Sequence, residues 1–237
     1  MSLYSDLSDF YDMVFAVSEA ELAFVSSSLP PETRLLDVGC GTGNKTVIFA
    51  QKVRSVVGID PDESMINKAK KNNSGNNLTY EVGGMESLAT SFGAGAFSAV
   101  TCLGNTLVHI TEPTLIQKVI TDIYSLLSDG GVFIGQILHY DYILRNKVTS
   151  LPILETDKVI FERGYDLSQK PIKFMTVIHD KEKGAQFHNE TPLYPLLRKE
   201  LEDMLSIAGF KNSEFFGSYA GEPLKDDSLP LIVRAYK

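Results

Sequence analysis

The sequence is poor in the residues that build several classes of site. Only two of its 237 residues are cysteines, Cys40 and Cys102, and its four histidines are scattered along the chain. So few cysteines indicate a reduced, cytoplasmic protein in which both thiols are small packing residues rather than a disulfide. Four scattered histidines make no cluster of ligands, so we expect no metal site.

Positive charge and long apolar runs are also scarce. Lysine and arginine number 22 against 30 acidic residues, which gives a net charge of −8. Nucleic acids are bound through clustered cationic side chains, so we expect no nucleic-acid partner. No apolar run approaches the ~20 residues that span a bilayer, and the first twelve residues do not look like a signal peptide. These absences favour an enzyme that acts on a small molecule away from membranes, with its oligomeric state left open.

A glycine-rich loop follows the first apolar strand. The run LLDVGCGTG at 35–43 places glycine at positions 39, 41 and 43. Glycine lets a backbone approach a ligand closely, and the helix after such a loop points unpaired N–H groups at it. A dinucleotide fingerprint requires its third glycine at position 44, where this chain has Asn44. With the acid Asp37 before the loop, the pattern favours a cationic cofactor over a pyrophosphate.

A second acid, Asp60, ends the next apolar strand. It lies roughly 20 residues after Gly39, the length of one loop, helix and strand. Parallel strands end at the same edge of a sheet, so Asp60 is expected beside the glycine loop, where a carboxylate accepts both hydroxyls of a ribose. An acid after a strand is often a helix cap instead, but here Asp62 or Ser64 is available to cap the next helix.

LLDVGCGTG, Asp60 and the continuation IDPDESM together resemble the class I methyltransferases that depend on S-adenosylmethionine (SAM). The resemblance implies SAM as cofactor and S-adenosylhomocysteine as product, with Asp60 at the ribose and Asp37 near the methionyl amine. Met65 and Met85 would lie against the adenine. Glu86 is either near the adenine amino group or a helix-start carboxylate. The residues assigned to the cofactor are Tyr4, Tyr11, Asp37, Gly39, Cys40, Gly41, Asp60, Pro61, Met65, Met85, Glu86, Leu103 and His109.

The segment from Cys102 to His109 resembles the CLGN-x-x-x-H segment of glycine and sarcosine N-methyltransferase-type enzymes. The resemblance implies that Gly104 passes under the sulfonium, that Asn105 offers its amide to a substrate carboxylate, and that His109 lies near the methionine part of the cofactor. On a helical turn Asn105 and His109 would share a face. In the alternative, the asparagine is a turn residue and the histidine hydrogen-bonds a carbonyl.

We predict methyl transfer to a small molecule at nitrogen or oxygen, and the methyl acceptor is left open because the sequence departs from the glycine-type enzymes. Those keep an arginine that grips the substrate carboxylate just before a Tyr-Asp pair after strand five, where this chain has Leu138 and His139 before Tyr140. Arg145 and Arg163 are candidates to replace it. His139, Tyr140 and Asn105 are the candidate catalytic residues, as a base or as orienting groups. Two rivals are a SAM-binding sensor or partner subunit without catalysis, and a nicotinamide-dependent oxidoreductase.

Strands that alternate with helices predict an α/β, Rossmann-like class I methyltransferase sheet, mostly parallel with its last strand antiparallel. After strand five the pattern changes to a small antiparallel β insertion, 143–194, which we interpret as a flap within one domain, 1–237. Residues 1–31 are interpreted as a helical lid, with Tyr4 and Tyr11 either closing over the cofactor or packing as core aromatics. The predicted strands are 34–38, 55–59, 78–82, 97–103, 132–138, 158–165, 172–180, 186–190, 212–216 and 229–236. The predicted helices are 45–52, 63–71, 113 to the glycines at 130–131, and 195–208.

Overall fold

The computed structural model describes residues 10–237, so Tyr4 lies outside the described residues. Two short 3₁₀ helices, Met85–Ser87 and Leu107–His109, follow the third and the fourth strand of the chain. The other elements, in chain order, are α1 (Tyr11–Val14), α2 (Glu19–Ser26), β1 (Arg34–Val38), α3 (Thr46–Ala50), β2 (Ser55–Asp60), α4 (Glu63–Asn72), β3 (Leu78–Val82), α5 (Leu88–Ser91), β4 (Phe97–Cys102), α6 (Pro113–Leu126), β5 (Leu127–Leu138), α7 (Tyr140–Arg145), β6 (Leu154–Glu155), β7 (Val159–Asp166), β8 (Ile172–Asp180), β9 (Ala185–Leu193), α8 (Arg198–Ala208), β10 (Asn212–Phe216) and β11 (Pro230–Tyr236).

Seven strands form the main sheet in the order β10-β11-β5-β4-β1-β2-β3. Strands β1 to β5 run parallel to one another, whereas β11 is antiparallel to both of its neighbours, β5 and β10. This confirms the predicted Rossmann-like sheet. The strand order reverses between β1 and β4, and the carboxyl ends of the strands beside that point are where ligands bind in such sheets. Among the described helices, none is long and apolar enough to cross a bilayer.

The helix before β5 ends earlier than the sequence predicted. α6 begins at Pro113 and buries one face, but it stops at Leu126 rather than at the glycines. Leu127 is extended, fully buried and paired with Phe97, while Val132 pairs with Ala99. The residues between them form a bulge in which Gly130 has a positive φ of 74°. The glycines therefore shape an irregular strand and do not end the helix.

A separate four-stranded antiparallel sheet, β6-β7-β8-β9, follows β5, as the predicted insertion requires. We call it the flap sheet. Its two-residue strand β6 was missed because two residues carry no alternating pattern. Residues directly paired across antiparallel strands share a face, so Phe161 and Tyr165 of β7 lie on the same face as their partners Ile178 and Phe174 of β8. Around Phe161, this sheet packs against α1 through Val14 and Phe15.

Candidate functional site

The glycine loop after β1 adopts a backbone that other residues avoid. Gly39, Gly41 and Gly43 have φ values of 74°, 56° and 76°, in the left-handed region that glycine enters without a steric penalty. A Cβ on Gly39 would lie 2.4 Å from Cγ2 of Thr106. The backbone N–H of Gly39 donates to the carbonyl of Ile59 at 2.8 Å, which ties the loop to the end of β2.

Asp60, at the end of β2, faces this loop. Its Oδ2 accepts the backbone N–H of Gly41 at 3.0 Å, and its Oδ1 accepts that of Asp62 at 2.9 Å. Asp62 in turn caps α4 by accepting the N–H of Ser64. Burial raises the pKa of the Asp60 carboxyl, while the two N–H donors favour its ionised form. Each oxygen keeps acceptor capacity for a ligand, because a carboxylate accepts more than one hydrogen bond per oxygen.

A cleft of about 140 Å³ lies between the glycine loop and the ends of β2, β3 and β4. Gly83 and Gly104 line it, and a Cβ on either residue would meet no atom within 4 Å. These two positions therefore leave room for a ligand. The predicted cofactor residues that line the cleft are Tyr11, Gly39, Gly41, Asp60, Pro61, Met65, Met85 and His109. The sequence reasoning missed Val38, Gly83 and Thr106, which also line it, and assigned Asp62 only as a cap.

Four predicted cofactor residues do not line the cleft. Cys40 packs against Ile66 and Tyr80, and Leu103 lies in the core beside β1 and β5. Glu86 is exposed at the start of its 3₁₀ helix, in agreement with the helix-start alternative. The fourth is Asp37, which is buried and sealed inside the protein.

Asp37 is held by two hydroxyl groups. Its Oδ2 accepts from Thr46 Oγ1 at 2.6 Å and its Oδ1 from Thr101 Oγ1 at 2.8 Å. Burial raises its pKa, and the two hydroxyl donors oppose that shift. The carboxylate thus links β1 to β4 and to α3, and the structure does not present it to the cleft as the resemblance implied.

A second cavity of about 420 Å³ adjoins the cleft, and Gly104 and His109 line both. Strand β5, the loop after α1, and the flap sheet supply most of its remaining surface. That surface is largely aromatic and aliphatic, with a few polar groups between. The lining residues are Val14, Phe15, Ala16, Glu21, Lys45, Gly104, Asn105, His109, Gln136, Leu138, Leu151, Phe161, Arg163, Tyr165 and Phe174.

Comparison with known proteins shows which protein family this chain is similar to. Residues 35–131 match the family model described as a methyltransferase domain. This part of the chain, residues 35–131, is of the class I, SAM-dependent methyltransferase type. The match implies SAM as the cofactor, and the glycine-lined cleft beside Asp60 fits it.

Two relatives and one solved structure illustrate how far the similarity extends. The ubiquinone biosynthesis O-methyltransferase of Xanthomonas axonopodis pv. citri is 36% identical over 119 residues, which cover 49% of this chain and 48% of that protein. The glycine N-methyltransferase of Mus musculus is 30% identical over 123 residues, covering 47% of this chain and 42% of that protein. The chain therefore aligns with about half the length of these relatives. The CcbJ methyltransferase of Streptomyces caelestis has a similar fold, with a TM-score of 0.82 at 20% identity, over 99% of this chain and 97% of that chain.

The turn after β4 joins the two cavities. Gly104 and Asn105 both have positive φ, 69° and 66°, and such strain in a non-glycine residue is common at functional sites. Asn105 Oδ1 accepts the N–H of Leu138 at 2.9 Å, and its Nδ2 donates to the Tyr140 hydroxyl at 3.0 Å. Gln136 Oε1 accepts the N–H of Gly104 at 2.9 Å. The turn is therefore fixed from β5 and from the start of α7.

Two groups near this turn, the half-buried His109 and the buried Tyr140, are neutral at physiological pH. Burial lowers the pKa of His109 to about 4, so its imidazole carries no charge where it faces both cavities. A neutral ring does not repel a sulfonium. Burial raises the pKa of Tyr140 to about 12, so its phenol stays protonated and is not a base. Tyr140 thus positions Asn105.

His139, the third candidate catalytic residue, lies elsewhere. It is 4% exposed, its Nδ1 lies 3.0 Å from the carbonyl oxygen of Ser228, and its Nε2 lies 3.7 Å from Asp141. It lines a different surface cavity, of about 560 Å³, together with Arg145. The histidine is thus held against the loop that contains Ser228, away from the cleft and the second cavity. Of the two candidate arginines, only Arg163 reaches the cavity beside the cleft.

An ion pair at the edge of the second cavity was missed by the sequence reasoning. Lys45 Nζ lies 2.6 Å from Glu21 Oε1. Glu21 lies in the first turn of α2, where the N-cap residue Ser18 accepts its backbone N–H at 3.4 Å. The Glu21 side chain, however, binds Lys45, which precedes α3. No local pattern links two residues on separate helices.

Proposed function

We propose that this protein transfers the methyl group of SAM to a nitrogen or oxygen atom of a small molecule held in the second cavity. The observation that carries the proposal is the junction of the cleft with that cavity at Gly104 and His109. The names of the two relatives support nitrogen and oxygen as acceptor atoms, because one is an N-methyltransferase and the other an O-methyltransferase.

Each part of the cofactor has a matching group in the chain. Asp60 would accept the ribose hydroxyls with the capacity left by its two backbone partners. Met65 and Met85 would hold the adenine, since both are buried apolar side chains in the cleft wall. Because Asp37 is sealed, we assign the zwitterionic methionyl tail to the Glu21 and Lys45 pair, whose charges complement an ammonium and a carboxylate.

Positioning would supply most of the catalysis. SAM supplies a methyl group on a positively charged sulfur, ready for in-line attack by a lone pair. Gly104 in this rigid turn places backbone without a side chain at the junction of the cavities, beside His109. Holding two reactants in line lowers a barrier by up to ~7 to 11 kcal/mol in favourable cases. The neutral His109 is the group at the junction that can orient the acceptor, hydrogen-bonding it without adding charge.

The second cavity is covered by parts of the two segments that we propose as the lid and the flap. Val14, Phe15 and Ala16, within the proposed lid of residues 1–31, line one side, and Phe161 and Phe174 of the flap line another. We therefore treat the flap, 143–194, and the described part of the lid, residues 10–31, as covers of one active face within the single domain that we propose for 1–237. Excluding water from this face protects the cofactor from hydrolysis and strengthens the electrostatic interactions inside it.

Release of S-adenosylhomocysteine from SAM, measured across a panel of amines, carboxylates and phenols, tests the proposal. We expect turnover with at least one class of compound. The variant His109→Gln should lose most of this activity. The variant His139→Gln alters a histidine outside the cavity and should keep an activity within about twofold of the original. S-Adenosylhomocysteine, and not NAD, should raise the melting temperature. Tight binding of S-adenosylhomocysteine with no turnover of any compound would refute catalysis and favour a SAM sensor.

A further inference from the structure

Buried polar atoms without partners concentrate on one face of the flap sheet. Within residues 10–237, four buried side-chain polar atoms lack a hydrogen-bond partner: Arg163 Nε, Tyr165 Oη, Thr176 Oγ1 and Tyr219 Oη. Three of the four belong to β7 and β8. An unsatisfied buried polar group destabilises a fold, so a cluster of them indicates a place where another molecule completes the hydrogen bonds.

The three groups in the flap sheet are neighbours. Arg163 and Tyr165 are two residues apart on β7, so their side chains point to the same face. Thr176 pairs directly with Arg163 across the antiparallel ladder, as Phe174 does with Tyr165, so Thr176 shares that face. Arg163, Tyr165 and Phe174 line the second cavity, so this face of the flap sheet covers the place we assign to the acceptor.

The charge of Arg163 has no counterpart in that cavity. Its Nη2 donates to the carbonyl of Pro152 at 2.8 Å, and its guanidinium lies 5.7 Å from the centre of the Phe161 ring. The other two charged residues of the cavity, Glu21 and Lys45, neutralise each other. Arginine keeps its charge in proteins, so the cavity holds one uncompensated positive charge. Burial raises the pKa of Tyr165, which therefore stays a neutral phenol able to donate a hydrogen bond.

We propose that Arg163 and Tyr165, with Thr176 opposite Arg163 on the neighbouring strand, form a subsite that binds a carboxylate of the methyl acceptor. The identity of the bound molecule as an acceptor rests on the proposed function. A planar carboxylate suits the donor edge of a guanidinium, and its single negative charge balances the single free positive charge. The aromatic and aliphatic walls around this subsite suit an apolar body carrying that carboxylate. The acceptor class is therefore an apolar or aromatic acid that also bears a nucleophilic nitrogen or oxygen.

Equilibrium binding of matched pairs of compounds tests the subsite without requiring turnover. Calorimetry would compare carboxylates with their carboxamides, such as 4-aminobenzoate with 4-aminobenzamide and aliphatic pairs of similar size, with and without S-adenosylhomocysteine. For at least one pair we expect the carboxylate to bind at least tenfold more tightly. Arg163→Gln should reduce that ratio to within about twofold, Tyr165→Phe should reduce it several-fold, and Arg163→Lys should leave an intermediate ratio.

The matched control is Arg145→Gln, which removes an exposed arginine from the other cavity and should leave the ratio unchanged. If Arg163→Gln does not fold, the test relies on two milder variants. These are Tyr165→Phe, which removes one oxygen atom, and Arg163→Lys. Equal affinities within every pair, a ratio preserved in Arg163→Gln, or preferential binding of phenyl phosphate over benzoate would overturn the subsite. Carboxylate-selective binding without methyl transfer would support the subsite and refute the proposed function. Methyl transfer without carboxylate selectivity would support the proposed function and refute the subsite.

Discussion

Replacing Asp60 by alanine tests the cofactor site most directly, because this carboxylate supports both the ligand and the loop that holds it. Its two oxygens accept the backbone N–H groups of Gly41 and Asp62, at 3.0 and 2.9 Å. The first bond holds the glycine loop, and the second holds the residue that caps α4. The same carboxylate lines the cleft and would accept the ribose hydroxyls. The substitution therefore affects cofactor affinity and protein stability by separate routes.

The two effects have different expected sizes. A hydrogen bond that involves a charged group contributes about 1.5 to 3 kcal/mol, which corresponds to a loss of about 10- to 150-fold in affinity for S-adenosylhomocysteine. The free protein also loses two hydrogen bonds to backbone N–H groups, but it no longer buries a carboxylate, whose pKa is raised by that burial. We expect the free energy of unfolding to fall by only about 1 to 3 kcal/mol.

Titration calorimetry with S-adenosylhomocysteine would measure the affinity, and urea denaturation without ligand would measure the stability. Both proteins would be compared at a temperature at which each is folded. Glu86→Gln is the matched control, since it removes a carboxylate that the structure places outside the cleft, and its affinity should stay within about twofold. An affinity of Asp60→Ala within twofold of the original would refute the assignment of Asp60 to the ribose.

Two further predictions concern His109 and the glycine loop. The unfolded state protonates His109 near pH 6.5 and the folded state only near pH 4, so stability should decrease as pH falls between these values. Urea titrations should show that His109→Gln removes about 2 to 3 kcal/mol of that decrease, and an unchanged pH dependence would contradict a buried neutral imidazole. Gly39→Ala should lower the free energy of unfolding by about 2 to 4 kcal/mol, because its φ is 74° and its Cβ would lie 2.4 Å from Cγ2 of Thr106. Thr106→Ser removes that methyl group and should recover about 1 kcal/mol of the loss, whereas strictly additive effects would show that the clash is absent.

The parts of the fold that depend on short patterns were predicted well. Strands β1 and β3 begin and end at the predicted residues, and β8 does as well. Each is bounded by polar or turn residues, so the local sequence contains the information that defines it. The boundary between α6 and β5 was wrong, because it depends on the pairing of Leu127 with Phe97, about 30 residues away.

The cleft beside the glycine loop followed from the sequence more directly than the second cavity did, for a related reason. The loop at Gly39 and the acid Asp60 are recognisable because their positions along the chain fix their positions at the sheet edge. The second cavity collects side chains from α1, α2, β5 and the flap sheet, which no short pattern connects. Arg163 entered the sequence reasoning only as a possible substitute for a missing arginine, and its place in the cavity follows from the folding of the flap sheet.

The sequence by itself determined the order of strands and helices, the glycine loop, and the carboxylate that faces it, since these follow from the periodicity of apolar residues and from backbone conformations open to glycine. Only the tertiary structure decided that Asp37 is sealed by Thr46 and Thr101 and that His139 faces a different cavity. Those outcomes depend on contacts between residues far apart in the chain, whose side-chain directions are set by packing and not by neighbouring residues.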